Sequence, residues 1–118
     1  MDLTDGNAAN VKITASNGDQ YSGPIKAGKF HGRGKLIHKD GNVYEGDFFE
    51  NQRQGKGKMT FSDGSSYDGE WEAGFPQGQG EEITASGDVY VGPSINSKKH
   101  GRGKLIYKNG NVYEGDFF

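Results

Sequence analysis

Short stretches of alternating character recur along the chain, broken by glycine-containing pairs. Gly57-Lys58-Met59-Thr60-Phe61 alternates lysine and threonine with glycine, methionine and phenylalanine; Tyr67-Asp68-Gly69-Glu70-Trp71 alternates carboxylates with rings and glycine. A period of two predicts a strand with one apolar and one polar face. Between the two stretches lies Asp63-Gly64, with Asp40-Gly41 and Asn109-Gly110 at matching places. Such pairs signal a hairpin, because glycine accepts the positive φ that the turn needs.

The pattern repeats every 23 residues. Tyr21, Tyr44, Tyr67, Tyr90 and Tyr113 keep that spacing, each followed two residues later by Gly23, Gly46, Gly69, Gly92 or Gly115. Gly18, Gly41, Gly64, Gly87 and Gly110 precede the tyrosines by three, and Gly-x-Gly recurs at Gly32/Gly34, Gly55/Gly57, Gly78/Gly80 and Gly101/Gly103. Repetition at this period is the mark of an array whose units bury their surface against one another. Five hairpin units follow: Val11–Ile25 (degenerate), Gly34–Phe49, Gly57–Glu72, Gly80–Ile95 and Gly103–Phe118. They predict an all-β fold of about ten strands in an open, twisted antiparallel meander. Residues 1–18 read as an N-terminal segment with a degenerate capping strand, and 19–118 as the array.

Side-chain sorting predicts the register. With Phe61 opposite Tyr67, Met59 faces Gly69 and Gly57 faces Trp71, while Thr60 faces Asp68, Lys58 faces Glu70 and Lys56 faces Glu72. One face is then apolar and the other carries opposite charges, whereas a slip of one residue mixes them. The apolar face gives the expected structural core: Tyr44, Gly46, Phe48, Gly57, Met59, Phe61, Tyr67, Gly69, Trp71, Tyr90, Tyr113, Gly115 and Phe117. Glycines in that row leave room for the rings of Tyr67 and Trp71. Burying a ring contributes about 1.5–3 kcal/mol, so stacked hairpins hold together where one alone does not.

Composition narrows the function. Apolar residues make up only 31% of the 118, and 21 glycines fill much of the difference, which suits a thin sheet resting on aromatics. There is no cysteine, which excludes disulfides and cysteine-based chemistry. The net charge of −2 gives no reason to expect nucleic acid. The start, Met1-Asp2-Leu3, lacks the basic and apolar regions of a signal peptide, so an intracellular protein is expected.

Tyr44-Glu45-Gly46-Asp47-Phe48 and Tyr67-Asp68-Gly69-Glu70-Trp71, each with Gly-x-Gly downstream at a 23-residue period, resemble the MORN repeat family over roughly Asp19 to Phe118. The resemblance implies an elongated, single-layer β array with a shallow groove. It implies a non-catalytic scaffold in the cytoplasm that docks a helical segment of a partner protein or a second copy of itself. Association with membrane phosphoinositides or the cytoskeleton, and attachment to a larger enzyme, are alternatives it carries. Two units depart from the pattern. The fourth has Glu82 for Met59, Ser94 for Trp71, and Pro93 inside its second strand, so a weak point or bend is expected there. The first has Ile25 for the aromatic and lacks Gly-x-Gly, as a cap would.

His31–Phe49 and His100–Phe118 differ at two of nineteen positions, His38/Tyr107 and Asp40/Asn109. A duplicated three-unit block fits, and the stop at Phe118 is expected of a stretch taken from a longer array.

No arrangement points to catalysis, a metal or a cofactor. The Gly-Arg-Gly-Lys stretches lack the Ser/Thr and helix of a phosphate-binding loop. Asp40-Gly41-Asn42 with Glu45 and Asp47 does not have EF-hand spacing. His31 and His100 lie three units apart and His38 stands alone. Carboxylates such as Glu45, Asp47, Asp68 and Glu70 face lysines in solvated pairs. The polar face is interrupted by Ile37, Phe49, Ile83, Val91, Ile106 and Phe118, which are the candidate partner-binding residues. Lys98, Lys99, Arg102 and Lys104 form the main basic cluster, with Lys26, Lys29, Arg33 and Lys35 as a weaker cognate; the first four are the candidates for anionic lipid.

Overall fold

The computed structural model describes residues 8–117, so Phe118 lies outside the described residues. Its strands are β1 (Ala8–Thr14), β2 (Gln20–Lys26), β3 (Lys29–Phe30), β4 (Gly32–Ile37), β5 (Val43–Phe49) and β6 (Gln52–Thr60). They continue as β7 (Ser66–Glu72), β8 (Phe75–Ile83), β9 (Val89–Ile95), β10 (Lys98–Lys99), β11 (Gly101–Ile106) and β12 (Val112–Phe117). All belong to one antiparallel sheet, ordered β1-β2-β4-β5-β6-β7-β8-β9-β11-β12, with β3 beside β2 and β10 beside β9. The sheet extends 55 × 24 × 18 Å, an elongated open ribbon of ten strands with two short additions.

The register differs by two residues from the one predicted by sorting. Tyr67 pairs with Met59 instead of Phe61, Gly69 with Gly57 instead of Met59, and Trp71 with Gly55 instead of Gly57. On the other face Lys58 meets Asp68, Lys56 meets Glu70, and Thr60 meets Ser66. An even shift leaves every side chain on its predicted face. It moves Phe61, however, out of the strand into the hairpin loop, where it is 38% exposed.

The reason is a row of glycines. Gly34 pairs with Gly46, Gly46 with Gly57, Gly57 with Gly69, Gly69 with Gly80, and Gly80 with Gly92. Each tyrosine ring lies flat over this row. A Cβ on Gly57 would strike the Tyr44 hydroxyl, one on Gly80 that of Tyr67, and one on Gly34 that of Tyr21 at 2.6 Å. The ring of one hairpin thus occupies the space that glycine leaves in the next, and only this register aligns the two.

Two kinds of connection alternate. The loop holding each Asp-Gly or Asn-Gly pair spans five residues and closes on itself: Phe61 N–H donates to Ser65 O at 2.8 Å, and Gly64 N–H to Phe61 O at 3.0 Å. Hairpins are joined by two-residue turns, Ala27-Gly28, Glu50-Asn51, Ala73-Gly74 and Asn96-Ser97, with positive φ at both positions. That is the type I′ pattern, whose twist matches the flanking strands. Neighbouring units hold these turns in place. Ala73 N–H donates to the Gln54 side chain and Asn96 N–H to that of Gln77, both at 2.9 Å.

Candidate interaction faces

Burial along the strands divides the sheet into two faces. On the first, Tyr21, Tyr44, Phe48, Met59, Tyr67 and Trp71 form one buried cluster, and Tyr90 is equally buried beyond it. Every repeat tyrosine donates its hydroxyl to the carbonyl three residues on. The acceptors are Pro24, Asp47, Glu70, Pro93 and Asp116, at 2.6, 2.7, 3.1, 2.6 and 2.8 Å. A buried hydroxyl without a partner is costly, so this bond is what lets Tyr21, Tyr44, Tyr67 and Tyr90 fill core positions. Tyr113, expected in the core, is 43% exposed, since it lies on β12 at the edge of the described sheet. Burial first, and then the Asp47 charge, pushes the Tyr44 pKa up to about 12.

Four residues after the tyrosine, Phe48, Trp71 and Phe117 stand edge-on to it. Trp71 also donates its indole N–H to Gly57 O at 2.9 Å in a buried bond. The cross-strand partners at this level are Ile25 with Phe30, Phe48 with Arg53, Trp71 with Pro76, and Ser94 with Lys99. Sequence reasoning missed this covering position. Phe30 stacks on Tyr21 at 3.8 Å, Arg53 lies 4.9 Å above Trp71 and 5.9 Å from Tyr44, and Lys99 lies 5.3 Å from Tyr90. Burial lowers the Arg53 pKa, and the guanidinium is anchored by a 2.8 Å bond to Gly74 O. The signal was present as a phased position nine residues after each tyrosine, but its residue types differ from unit to unit.

On the opposite face, cross-strand pairing lines residues up in rows. One row runs Lys35, Glu45, Lys58, Asp68, Glu81, Val91, Lys104, Glu114, mostly of alternating sign. A parallel row runs Ile37, Val43, Thr60, Ser66, Ile83, Val89, Ile106, Val112. Its last four members are apolar on four consecutive strands. Val91, 42% exposed, sits beside them in the charged row, and Val112 at the end is 54% exposed.

Ile37, Ile83, Val91 and Ile106 therefore share this face, three of them in one row. Phe49 is on the same face at the far end of its strand, 52% exposed and 5.4 Å from the ring of His31. The basic residues do not converge. Lys99 covers Tyr90 on the aromatic face and pairs with Glu82 at 3.6 Å, while Arg102 and Lys104 lie opposite Asp116 and Glu114 on the other. In the cognate cluster Arg33 reaches Asp47 at 3.8 Å and Lys35 lies opposite Glu45. Among the described residues no group of three His, Asp or Glu is gathered as a metal site, and no helix is long and apolar enough to cross a membrane.

The hairpin loops are also laddered. Lys39 N–H donates to the Asp19 carboxylate at 2.8 Å, Ser62 N–H to Asn42 Oδ1 at 2.9 Å, and Lys108 N–H to Asp88 Oδ1 at 2.9 Å. The first of these holds the Asp19 carboxyl below its usual range. At the corresponding place in the third hairpin, Ser65 donates its hydroxyl to Asp63 of its own loop instead.

The family model for the MORN repeat matches residues 21–43, 44–66, 67–89 and 90–112, four consecutive units that each begin on a repeat tyrosine. Among solved structures, the chain is similar to a catalytically inactive virginiamycin B lyase from Staphylococcus aureus with quinupristin. The likeness has 12% identity and a TM-score of 0.25, over 98% of this chain and 43% of that one. At that score it carries no argument, and the chain spans less than half the length of the lyase.

Proposed function

Because the chain belongs to the MORN repeat family, whose units are non-catalytic modules for protein or membrane interaction, we propose that it works in the cytoplasm as a protein-binding scaffold. The observation that carries this is the apolar row on the ionic face. Ile83, Val89, Ile106 and Val112 lie on four consecutive strands, with Val91 beside them, where a merely solvated face would carry charges. Contiguous apolar surface of this kind is what a partner or a second copy covers. The basic residues lend a lipid surface less support, since Lys99 is engaged on the opposite face and Arg102 and Lys104 face carboxylates.

The test is Ile106→Asp and Phe49→Asp, read by light scattering for self-association and by affinity capture for a partner, with circular dichroism as the control for folding. Ile106→Asp is expected to weaken association at least tenfold with the spectrum unchanged. Association that is unaltered in both variants rejects the scaffold surface.

A further inference from the structure

Among the described residues the aromatic lattice has one gap. Phe48, Trp71 and Phe117 each stand edge-on between two tyrosines, their own and that of the preceding hairpin, at 4.9–5.5 Å and 79–88°. The first hairpin has Ile25 there, yet its cross-strand partner Phe30 supplies the ring. The fourth has Ser94 paired with Lys99, so no ring is supplied from either strand. The neighbouring position, Leu36, Met59 or Leu105 elsewhere, is Glu82, and the buried aromatic cluster ends at Trp71.

A cavity of about 330 Å³ opens at this place, lined by Arg53, Tyr67, Trp71, Glu82 and Ser94, with Phe61 and Phe75 at its mouth. Both Phe61 and Phe75 are exposed, and Phe75 stands where the other units have Lys29, Gln52 and Lys98. The third unit thus carries a ring at the rim of the place where the fourth lacks one. The Glu82 carboxylate is met by Lys99 at 3.6 Å, and the Arg53 guanidinium is held over Trp71 and on Gly74 O, so the cavity calls for neither a cation nor an anion. Its volume is at the lower end for ligand pockets, about 300–1,000 Å³, and suits one ring and its stem.

We propose that this gap is a socket for a neutral aromatic side chain, of phenylalanine size, presented by a partner protein. The ring stands against Tyr67, Trp71 and Ser94, at the level where the fourth hairpin lacks a ring of its own, while Lys99 keeps its place over Tyr90. The proposal rests on the scaffold reading but uses the other face of the sheet.

Binding of N-acetylphenylalaninamide is followed by the NMR signal of the Trp71 indole N–H. A saturable shift is expected, at least threefold smaller with N-acetylleucinamide at the same concentration. Ser94→Phe, which fills the gap from within, is expected to weaken binding at least tenfold. No saturable shift, an equal response to the leucine amide, or undiminished binding by Ser94→Phe overturns the socket. Should Ser94→Phe not fold, Phe75→Lys restores the residue type of other units at an exposed site. It is expected to weaken binding at least threefold, and unchanged affinity overturns the proposal. Failure here leaves the result with Ile106→Asp standing, because Ile106 lies on the opposite face.

Discussion

The second and third hairpins carry a carboxylate three residues after the repeat tyrosine, Asp47 and Glu70; the first and fourth carry Pro24 and Pro93. The consequence appears in the strand that follows. Asp47 accepts the backbone N–H of Lys56 at 3.2 Å and Glu70 that of Gln79 at 3.3 Å, each across a bulge, and β6 and β8 run unbroken for nine residues. Proline offers no such acceptor. There, the His31 and His100 N–H groups donate to the Pro24 and Pro93 carbonyls at 3.3 and 3.1 Å, and the next strand is divided into β3 and β4 or β10 and β11. The preceding glycine also changes, with φ of +147° at Gly23 and +158° at Gly92. The sequence pattern predicted a weak link or bend in the fourth unit, with Pro93 inside its second strand. Within that unit β9 stays continuous, with Tyr90 and Ser94 buried, and the ladder to its neighbour is what opens. Whether adjacent hairpins are joined along their whole length thus varies with the side chain at this position.

The largest effect expected from this contrast is on the glycines beneath the rings. A Cβ at Gly57, in a carboxylate unit, would overlap the Tyr44 hydroxyl and two ring carbons deeply; at Gly103, after a proline unit, its nearest neighbour is Tyr90 Cε1 at 2.8 Å. Gly57→Ala should therefore cost about 3 kcal/mol and Gly103→Ala about 1 kcal/mol, the range for overpacking a fixed core. Urea unfolding with an unchanged slope measures both. Equal losses would mean that the two kinds of unit hold their tyrosines equally tightly.

What could be read in advance follows from what alternation encodes. A period of two assigns Met59, Tyr67 and Trp71 to one face and Lys58, Asp68 and Glu70 to the other, whatever the pairing. It is blind to an even shift, and the missing information was the continuous glycine row, in which Tyr44 lies across Gly46 and Gly57 and Tyr67 across Gly69 and Gly80. The turns at Glu50-Asn51 and Asn96-Ser97 were not legible, because their positive φ is imposed from outside. Asn51 exchanges bonds with Phe30 at 2.8 and 3.0 Å, and Ser97 N–H donates to Pro76 O at 3.1 Å. The covering position was hidden for another reason. Phe30, Arg53 and Lys99 approach tyrosines through a stacked ring, a guanidinium and an ammonium, so no residue type recurs. The interrupting residues Ile37, Ile83 and Ile106 were legible as a face, but that they form one row with Val89 and Val112 depends on the register.

A smaller effect is expected at alkaline pH. Tyr44 is pushed up to about 12 by burial and then by Asp47, whereas at Tyr21 burial raises the pKa and the bond from the His31 backbone opposes it. A phenol with a raised folded pKa contributes its full stability below the unfolded value near 10, and loses it as pH climbs toward the folded value. The melting temperature should hold from pH 7 to about 9.5 and fall steeply above about pH 10. Tyr44→Phe loses the bond to Asp47 O, about 1 kcal/mol at neutral pH, and should flatten the alkaline fall more than Tyr21→Phe does. An identical fall in both variants would remove Asp47 as a source of the difference.

The smallest effect sharpens the comparison most directly. Pro93→Glu places in the fourth hairpin the residue that the third has at Glu70, and Glu70 reaches the N–H nine residues on. The equivalent donor is Arg102, at the start of β11. If the side chain at this position sets the ladder, the new carboxylate should accept the Arg102 N–H and join β10 to β11 through His100. Exchange of the Arg102 and His100 amides should slow several-fold while global stability changes by less than about 1 kcal/mol, the scale of one exposed hydrogen bond. The first glycine of Gly-x-Gly has positive φ in both kinds of unit, +90° at Gly55 and +74° at Gly101, so it does not distinguish them. Unchanged exchange would shift the cause to the glycine before the proline, whose +158° at Gly92 would then be what holds the strands apart.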